Sequence, residues 1–272
     1  MERVLIKGAG DLATGIGCRL HRCGFSVAMT EIAVPTTVRR TVAFSRAVYE
    51  GSALVEDVEG VLCRNTGDID RVVNQDKVAV IVDESCETVR SWKPDIVVDA
   101  ILAKVNLGTE ITDADIVIGV GPGFTAGVDC HVVVETKRGH NLGRCIWEGS
   151  AFPNTGVPGM IGGYDKERII RAASDGIFTG AVEIGTLVEK GDVVGSSGGT
   201  PIYAEVGGVV RGLLQDGVAV TKGMKSGDID PRGVTEHCWT ISDKATAIGG
   251  GVLEGIFHIK TVSYTHLRAH ET

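Results

Sequence analysis

The chain has 272 residues, 43% of them hydrophobic, with a formal charge of -8 and 38 glycines. An acidic chain with no block of Lys or Arg is a poor match for nucleic acid or an anionic membrane surface. No apolar run approaches the length of a membrane span and the start does not read as a secretion signal. The length allows two domains with a well-buried core, and seven cysteines with no C-x-x-C pair indicate reduced thiols in a cytoplasmic protein.

Residues 3–31 read as strand, glycine turn, helix, strand and a terminal acid. Val4-Leu5-Ile6 is an apolar run ended by Gly8-Ala9-Gly10, where a helical pattern carrying Ile16, Leu20 and Cys23 begins. Gly8 permits a tight turn, Gly10 lets backbone approach a pyrophosphate, and Ala13 takes the third small position against the sheet. Phe25 to Thr30 forms a second strand, and Glu31 at its end is placed to hold ribose hydroxyls. Asp11, in the first helical turn, is placed to cap the helix and to repel a phosphate that comes too close. The pattern points to nucleotide or dinucleotide binding, with a purely structural strand–turn–helix unit as the alternative.

Beyond Pro35, Thr36 or Thr37 caps an expected helix carrying Val38, Val42 and Ala43, and Arg39 and Arg40 face either a ligand phosphate or solvent. Residues 52–64 read as strands with turns and 68–74 as a short helix. The apolar runs 78–82 and 96–98 read as buried parallel strands, ending at Asp83 and Asp99. Each of these acids is either a site candidate or a cap.

A further strand begins at Ile116, and GVGPGFTAGVD follows from 119. So many glycines make a shaped loop with exposed amides, which puts Gly121 and Gly123 among the site candidates. In the hairpin that follows, the turn 137–140 gathers His131, Glu135, Arg138, His140 and Arg144 beside this loop, and Arg138, His140 and Arg144 form either an anion-binding group or a solvated hairpin tip. A metal held by Cys130, His131, Glu135 and His140 is disfavoured, because adjacent residues of a strand point to opposite faces. Cys130, beside His131 and this loop, is read either as a plain buried thiol or as a reactive one.

Residues 172–195 repeat at 204–227, a fixed offset of 32. Gly176, Gly180, Gly185, Gly191 and Gly195 fall on Gly208, Gly212, Gly217, Gly223 and Gly227. Two copies of a short-strand unit predict a pseudo-twofold β structure. It resembles the flattened barrel of biotinyl and lipoyl carrier domains, although the junction between the halves has no lysine to modify. Asp228, Asp230 and Arg232 are read as a salt-bridged loop rather than a ligand site.

Altogether the pattern predicts an α/β chain. A Rossmann-like nucleotide-binding domain with a parallel sheet is expected over residues 1–120, and a glycine-rich loop and β-hairpin segment over 121–165. A β-barrel-like repeat module follows over 166–260. Residues 261–272, where VSYTHLRAHET begins abruptly, resemble a translated adapter read-through and are expected to be a non-native tail.

Five stretches, GAGDLATGI, the segment from Pro35 to Gly51, GVGPGFTAGVDCHVVVETKRGHNLGR, KSGDIDPRG and SDKATAIGGGVLE, together resemble the YqeB family. These are accessory proteins of the selenium-dependent molybdenum hydroxylase system, related in role to the XdhC accessory factors. The segment departs from the family pattern at Arg46, to which no role is given. The resemblance implies a cytoplasmic maturation factor for a xanthine dehydrogenase-like enzyme, with the hydroxylase apoenzyme or other maturation factors as partners, and supplies no catalytic residue. A molybdopterin-type cofactor or NAD is the expected ligand. Gly8 to Ala13 would take its pyrophosphate, Glu31 a ribose, and the 121–127 loop with Arg138, His140 and Arg144 the remaining anionic part. An NAD-dependent oxidoreductase and a non-catalytic assembly scaffold are the competing readings.

Overall fold

The structure is a computed structural model that describes residues 1–156 and 159–270, with side chains as far as residue 262. Strand β1 (Arg3–Lys7), helix α1 (Asp11–Arg22) and strand β2 (Ser26–Glu31) form where expected. Val4 and Ile6 pack to one side of the sheet with Ile16 and Leu20, and Leu5 to the other, because strand side chains alternate. The next segment forms 3₁₀ turns at Arg40–Val42 and Phe44–Arg46 and a single helical turn, α2 (Ala47–Glu50), instead of the helix expected after Pro35. Its polar groups are recruited elsewhere. Ser45 N–H donates to Ala9 O, Thr41 Oγ1 to Cys238 O, and Arg40 Nε to Leu213 O.

A hairpin of β3 (Ser52–Val55) and β4 (Val58–Cys63) leads to α3 (Ile69–Val73), β5 (Val78–Val82), α4 (Thr88–Trp92), β6 (Ile96–Asp99) and β7 (Ile116–Val120). After β8 (Thr125–Ala126) come β9 (Val132–Val134), β10 (Cys145–Ile146) and β11 (Gly149–Ser150). One nine-stranded sheet results, in the order β10-β9-β7-β6-β1-β2-β5-β4-β3. Its seven inner strands are parallel, and the edge strands β10 and β3 pair antiparallel. Residues 121–165, expected as a segment apart, thus extend the sheet through β9 and β10. Val132, Val133 and Val134 are wholly buried on both faces, as an inner parallel strand requires. The winding direction reverses between β1 and β6, and register sets Lys7 beside Thr30 on one side and Asp99 on the other. Clefts for ligands form at the carboxyl ends of strands at such a reversal.

Residues 169–230 carry β12 (Ile169–Arg171), β13 (Gly176–Gly180), β14 (Leu187–Val188), β15 (Val193–Ser197), β16 (Thr200–Tyr203), β17 (Gly208–Leu213), β18 (Ala219–Val220) and β19 (Lys225–Asp230). They form two four-stranded sheets, β12-β19-β17-β14 and β16-β15-β13-β18, around a shared apolar cluster containing Phe178, Val194, Val210 and Leu213. Neither sheet closes among the described residues, so open sheets replace the expected barrel. The two-residue strands β14 and β18, and the register breaks in β15 and β17, interrupt the ladders that closure needs. β13, β14 and β15 begin 32 residues before β17, β18 and β19 respectively. In each sheet the short strand comes from the other set, β18 pairing with β13 and β14 with β17.

The last element is α5 (Asp243–His270), which packs chiefly on α1, β7, β9 and β10, rather than joining the β module expected to extend to residue 260. Ile248, Val252 and Ile256 form its apolar stripe and join the core beneath α1. Helical backbone continues through residues 261–270, most of the expected tail, and residues 271–272 lie outside the described residues. None of the helices, among the described residues, is long and apolar enough to cross a membrane.

Candidate functional site

At the end of β1, Gly8 takes φ +94° and donates its N–H to Thr30 O at 3.0 Å. Ala9 N–H donates to Glu31 Oε2 at 3.1 Å, and Ile32 N–H to Oε1 at 2.9 Å. Glu31 is thereby fixed across the glycine turn. Burial pushes its carboxyl up from the ordinary glutamate range, against the pull of these two amides. Gly10 precedes α1 in extended backbone, with no side-chain cap on the helix. A Cβ added there would meet only Thr37 Oγ1, at 3.4 Å. The helix N-terminus therefore opens on a cleft of about 380 Å³ whose walls include Gly8, Gly10, Ala13, Glu31, Asp83 and Cys86. Unpaired amides and the helix dipole together make such an end attractive to an anion.

The neighbouring acids are already engaged. Asp83 Oδ2 accepts from the amide (2.7 Å) and hydroxyl (2.6 Å) of Thr88, capping α4. Asp99 accepts from Thr109 Oγ1 at 2.6 Å and Ile101 N–H at 3.1 Å, and burial pushes its carboxyl up. The cysteine at the cleft is Cys86, whose Sγ lies 3.5 Å from Thr30 Oγ1. No local pattern singled it out. Cys130 instead is fully buried, and burial pushes its thiol up to about 11, so it is protonated at neutral pH.

A second cavity, of about 450 Å³, adjoins the first through Asp11, Leu12 and Val38. Among the described residues, seven Lys and Arg side chains line it against two Asp, a strong local excess in a chain that is acidic overall. Part of this charge is neutralised by a buried ion cluster. Asp228 accepts from Arg168 and from Arg211 Nε at 2.8 Å, Arg211 also reaches Asp230 at 3.2 Å, and Arg232 donates to Asp230 at 2.6 Å. Arg138 pairs with Asp243 at 2.8 Å.

Burial opposes ionisation of Asp230, yet hydrogen bonds from Arg232 and the charges of Arg211 and Arg232 hold its carboxyl down, to about 2. A carboxyl whose pKa falls on folding stabilises the native state above its unfolded value and loses that contribution as pH drops through its folded value. The stability difference between the chain and Asp230→Asn is therefore expected to shrink by at most about 2 kcal/mol from about pH 4 down to about pH 2. Acid-dependent urea denaturation reads this directly, and a constant difference would contradict it.

The structure thus gathers Gly8, Gly10, Asp11, Ala13 and Glu31 around the first cavity, and brings Arg138 with Asp11 to the second. Gly121 and Gly123 have positive φ and are required for packing. A Cβ at Gly121 would meet Thr136 Oγ1 at 2.8 Å, and one at Gly123 would meet backbone of Val105 at 2.8 Å. His140 is exposed and lines neither cavity, while Arg144 borders a separate pocket beside Cys145. His131 Nδ1 accepts from Val117 N–H at 2.9 Å, a purely structural contact. Glu135 binds the amides of Lys137 and Phe152, shaping the loop under the second cavity. Arg39 and Arg40, read as ligand or solvent contacts, both reach the β module. Sequence reasoning missed Arg168, Arg211, Lys225 and Lys244, since each reads by itself as a solvated charge.

A curated relative, the uncharacterized protein YqeB of Escherichia coli strain K12, is 50% identical to this chain over 255 residues. The match supports the YqeB family. It covers 94% of this chain and 47% of the relative, so the chain spans about half the length of YqeB. No family model matches. Among solved structures, an aspartoacylase family protein from Mesorhizobium loti aligns at 12% identity over 74% of this chain and 56% of that one, with a TM-score of 0.23. The apo ectoine utilization protein EutE from Ruegeria pomeroyi aligns at 11% identity over 84% and 85%, with a TM-score of 0.26. Overlaps that loose say nothing about shared chemistry. All five stretches that carry the YqeB resemblance contribute to the wall of the second cavity, through Asp11, Arg39, Arg138, Lys225 and Lys244 among others.

Proposed function

We propose that this chain binds a nucleotide-type phosphorylated cofactor at the glycine turn and serves as an accessory factor in maturing a selenium-dependent, xanthine dehydrogenase-like molybdenum hydroxylase. The observation that carries the binding step is the uncapped N-terminus of α1, open beside Gly10 at the reversal of strand order, with Glu31 fixed across the turn. Two features of the cleft fit a molybdopterin dinucleotide: a backbone cradle that a side chain at position 10 would fill, and a carboxylate with lone pairs left for ribose hydroxyls. The hydroxylase role itself rests on the YqeB likeness. In this reading residues 1–120 form the nucleotide-binding part. The β module would dock the hydroxylase apoenzyme or another maturation factor, in the cytoplasm.

Gly10→Val tests the binding step. The backbone at Gly10, φ -67° and ψ 179°, suits any residue, and the site has room for a Cβ, so the variant folds while its methyl groups cover the helix end. Loss of two amide–phosphate hydrogen bonds at about 1 kcal/mol each weakens the ligand on the order of 30-fold. Anaerobic native mass spectrometry with NAD, molybdopterin dinucleotide and free molybdopterin supplied separately reads out the ligand. Preferential retention of a molybdopterin species supports the proposal, retention of NAD alone favours an oxidoreductase, and retention of none favours a scaffold. Unchanged affinity in Gly10→Val removes the glycine turn from the account.

A further inference from the structure

The second cavity holds more positive charge than its own acids balance. Arg168 and Arg211 are taken up by Asp228 and Asp230. Lys225 and Lys244, by contrast, have neither an ion pair nor a hydrogen bond from their ammonium groups among the described residues. Lys225 is exposed and Lys244 half-buried, and desolvation by the surrounding wall still lowers the pKa of both, against the pull of Asp228 and Asp11 on Lys225 and of Asp11 on Lys244. Arg39 is 7% exposed, and its Nη2 donates to His237 O at 2.8 Å and Thr240 O at 3.3 Å. Its Nη1 lies 3.6 Å from Asp11 Oδ2, and its Nε is buried with no hydrogen-bond partner among the described residues. A buried guanidinium N–H without an acceptor is a costly arrangement, and an anion in the cavity would supply the countercharge that the two ammonium groups lack.

We propose that this cavity is a binding site in its own right for a phosphoryl or pyrophosphoryl group, held by Lys225, Lys244 and the guanidinium of Arg39. The site does not depend on the glycine-turn reading, because Gly10 lines only the neighbouring cleft. The two cavities meet at Asp11, Leu12 and Val38, so the group arrives either free or as part of a ligand extending from the cleft. Phosphate suits the wall better than a planar carboxylate, since its tetrahedral oxygens meet donors converging from three separate elements.

Calorimetric titration of the full chain with pyrophosphate and, separately, ADP at low salt tests this, using Lys225→Met, Lys244→Met, Lys225→Arg and Gly10→Val. Each methionine variant is expected to weaken binding about tenfold, with Lys225→Arg restoring most of it. Pyrophosphate binding that survives Gly10→Val but falls in the methionine variants supports the site and a free phosphate. Binding of ADP alone, sensitive to Lys225→Met, supports it with the phosphate carried on a nucleotide. Binding that is absent for both probes, or equal in all variants, overturns it. Thermal melts confirm that the variants are folded.

Discussion

Alanine at position 251 is expected to destabilise the chain by on the order of 3 kcal/mol, while alanine at position 250 is expected to stabilise it by up to about 1 kcal/mol. Both glycines lie in α5, one residue apart, and both carry the same intrinsic helix penalty. A Cβ at Gly251 would sit 2.1 Å from Gly143 O and 2.9 Å from Val134 Cγ1, whereas at Gly250 nothing lies within 4 Å. Gly249 is tight as well, its Cβ position being 3.2 Å from Gly15 O on α1. The glycines therefore let α5 approach α1 and the 139–145 loop more closely than any side chain permits. Urea denaturation of the two variants gives the comparison, and equal shifts would mean that α5 does not seat in this way.

Removal of the Asp228 carboxylate is the other large effect. Asp228→Ala leaves the guanidiniums of Arg168 and Arg211, 7% and 8% exposed, without their shared acceptor. Breaking a buried pair from one side costs about 3–5 kcal/mol, because the charge left behind stays desolvated. Asp228→Asn, which keeps one acceptor oxygen, is expected to lose less. Denaturant midpoints for the two variants check the order. A loss below about 1 kcal/mol for the alanine would show that water reaches the cluster freely.

The unit β1–α1–β2 was legible because strand alternation, a glycine turn and helical spacing all agree over 29 consecutive residues. β5 and β6 were legible as unbroken apolar runs closed by Asp83 and Asp99. The pairing of Arg232 with Asp230 also followed from closeness in the chain. What failed was long-range. Gly249-Gly250-Gly251 argues against a helix by propensity, and only contact with α1 and Gly143 explains it. The helix expected after Pro35 gave way because Arg40, Thr41 and Ser45 find partners in other parts of the fold. The second cavity is assembled from residues as distant as Asp11 and Lys244, and no local spacing announces such a convergence.

The exchange of β14 and β18 between the two sheets sets the cooperativity of the β module. A fragment ending before Gly208 would have β14 with no strand to pair with, and β13 with one edge bare, so it could not close its core alone. Two such fragments would complete each other. The connectivity is that of an interlocked pair written into one polypeptide, and its halves must unfold together.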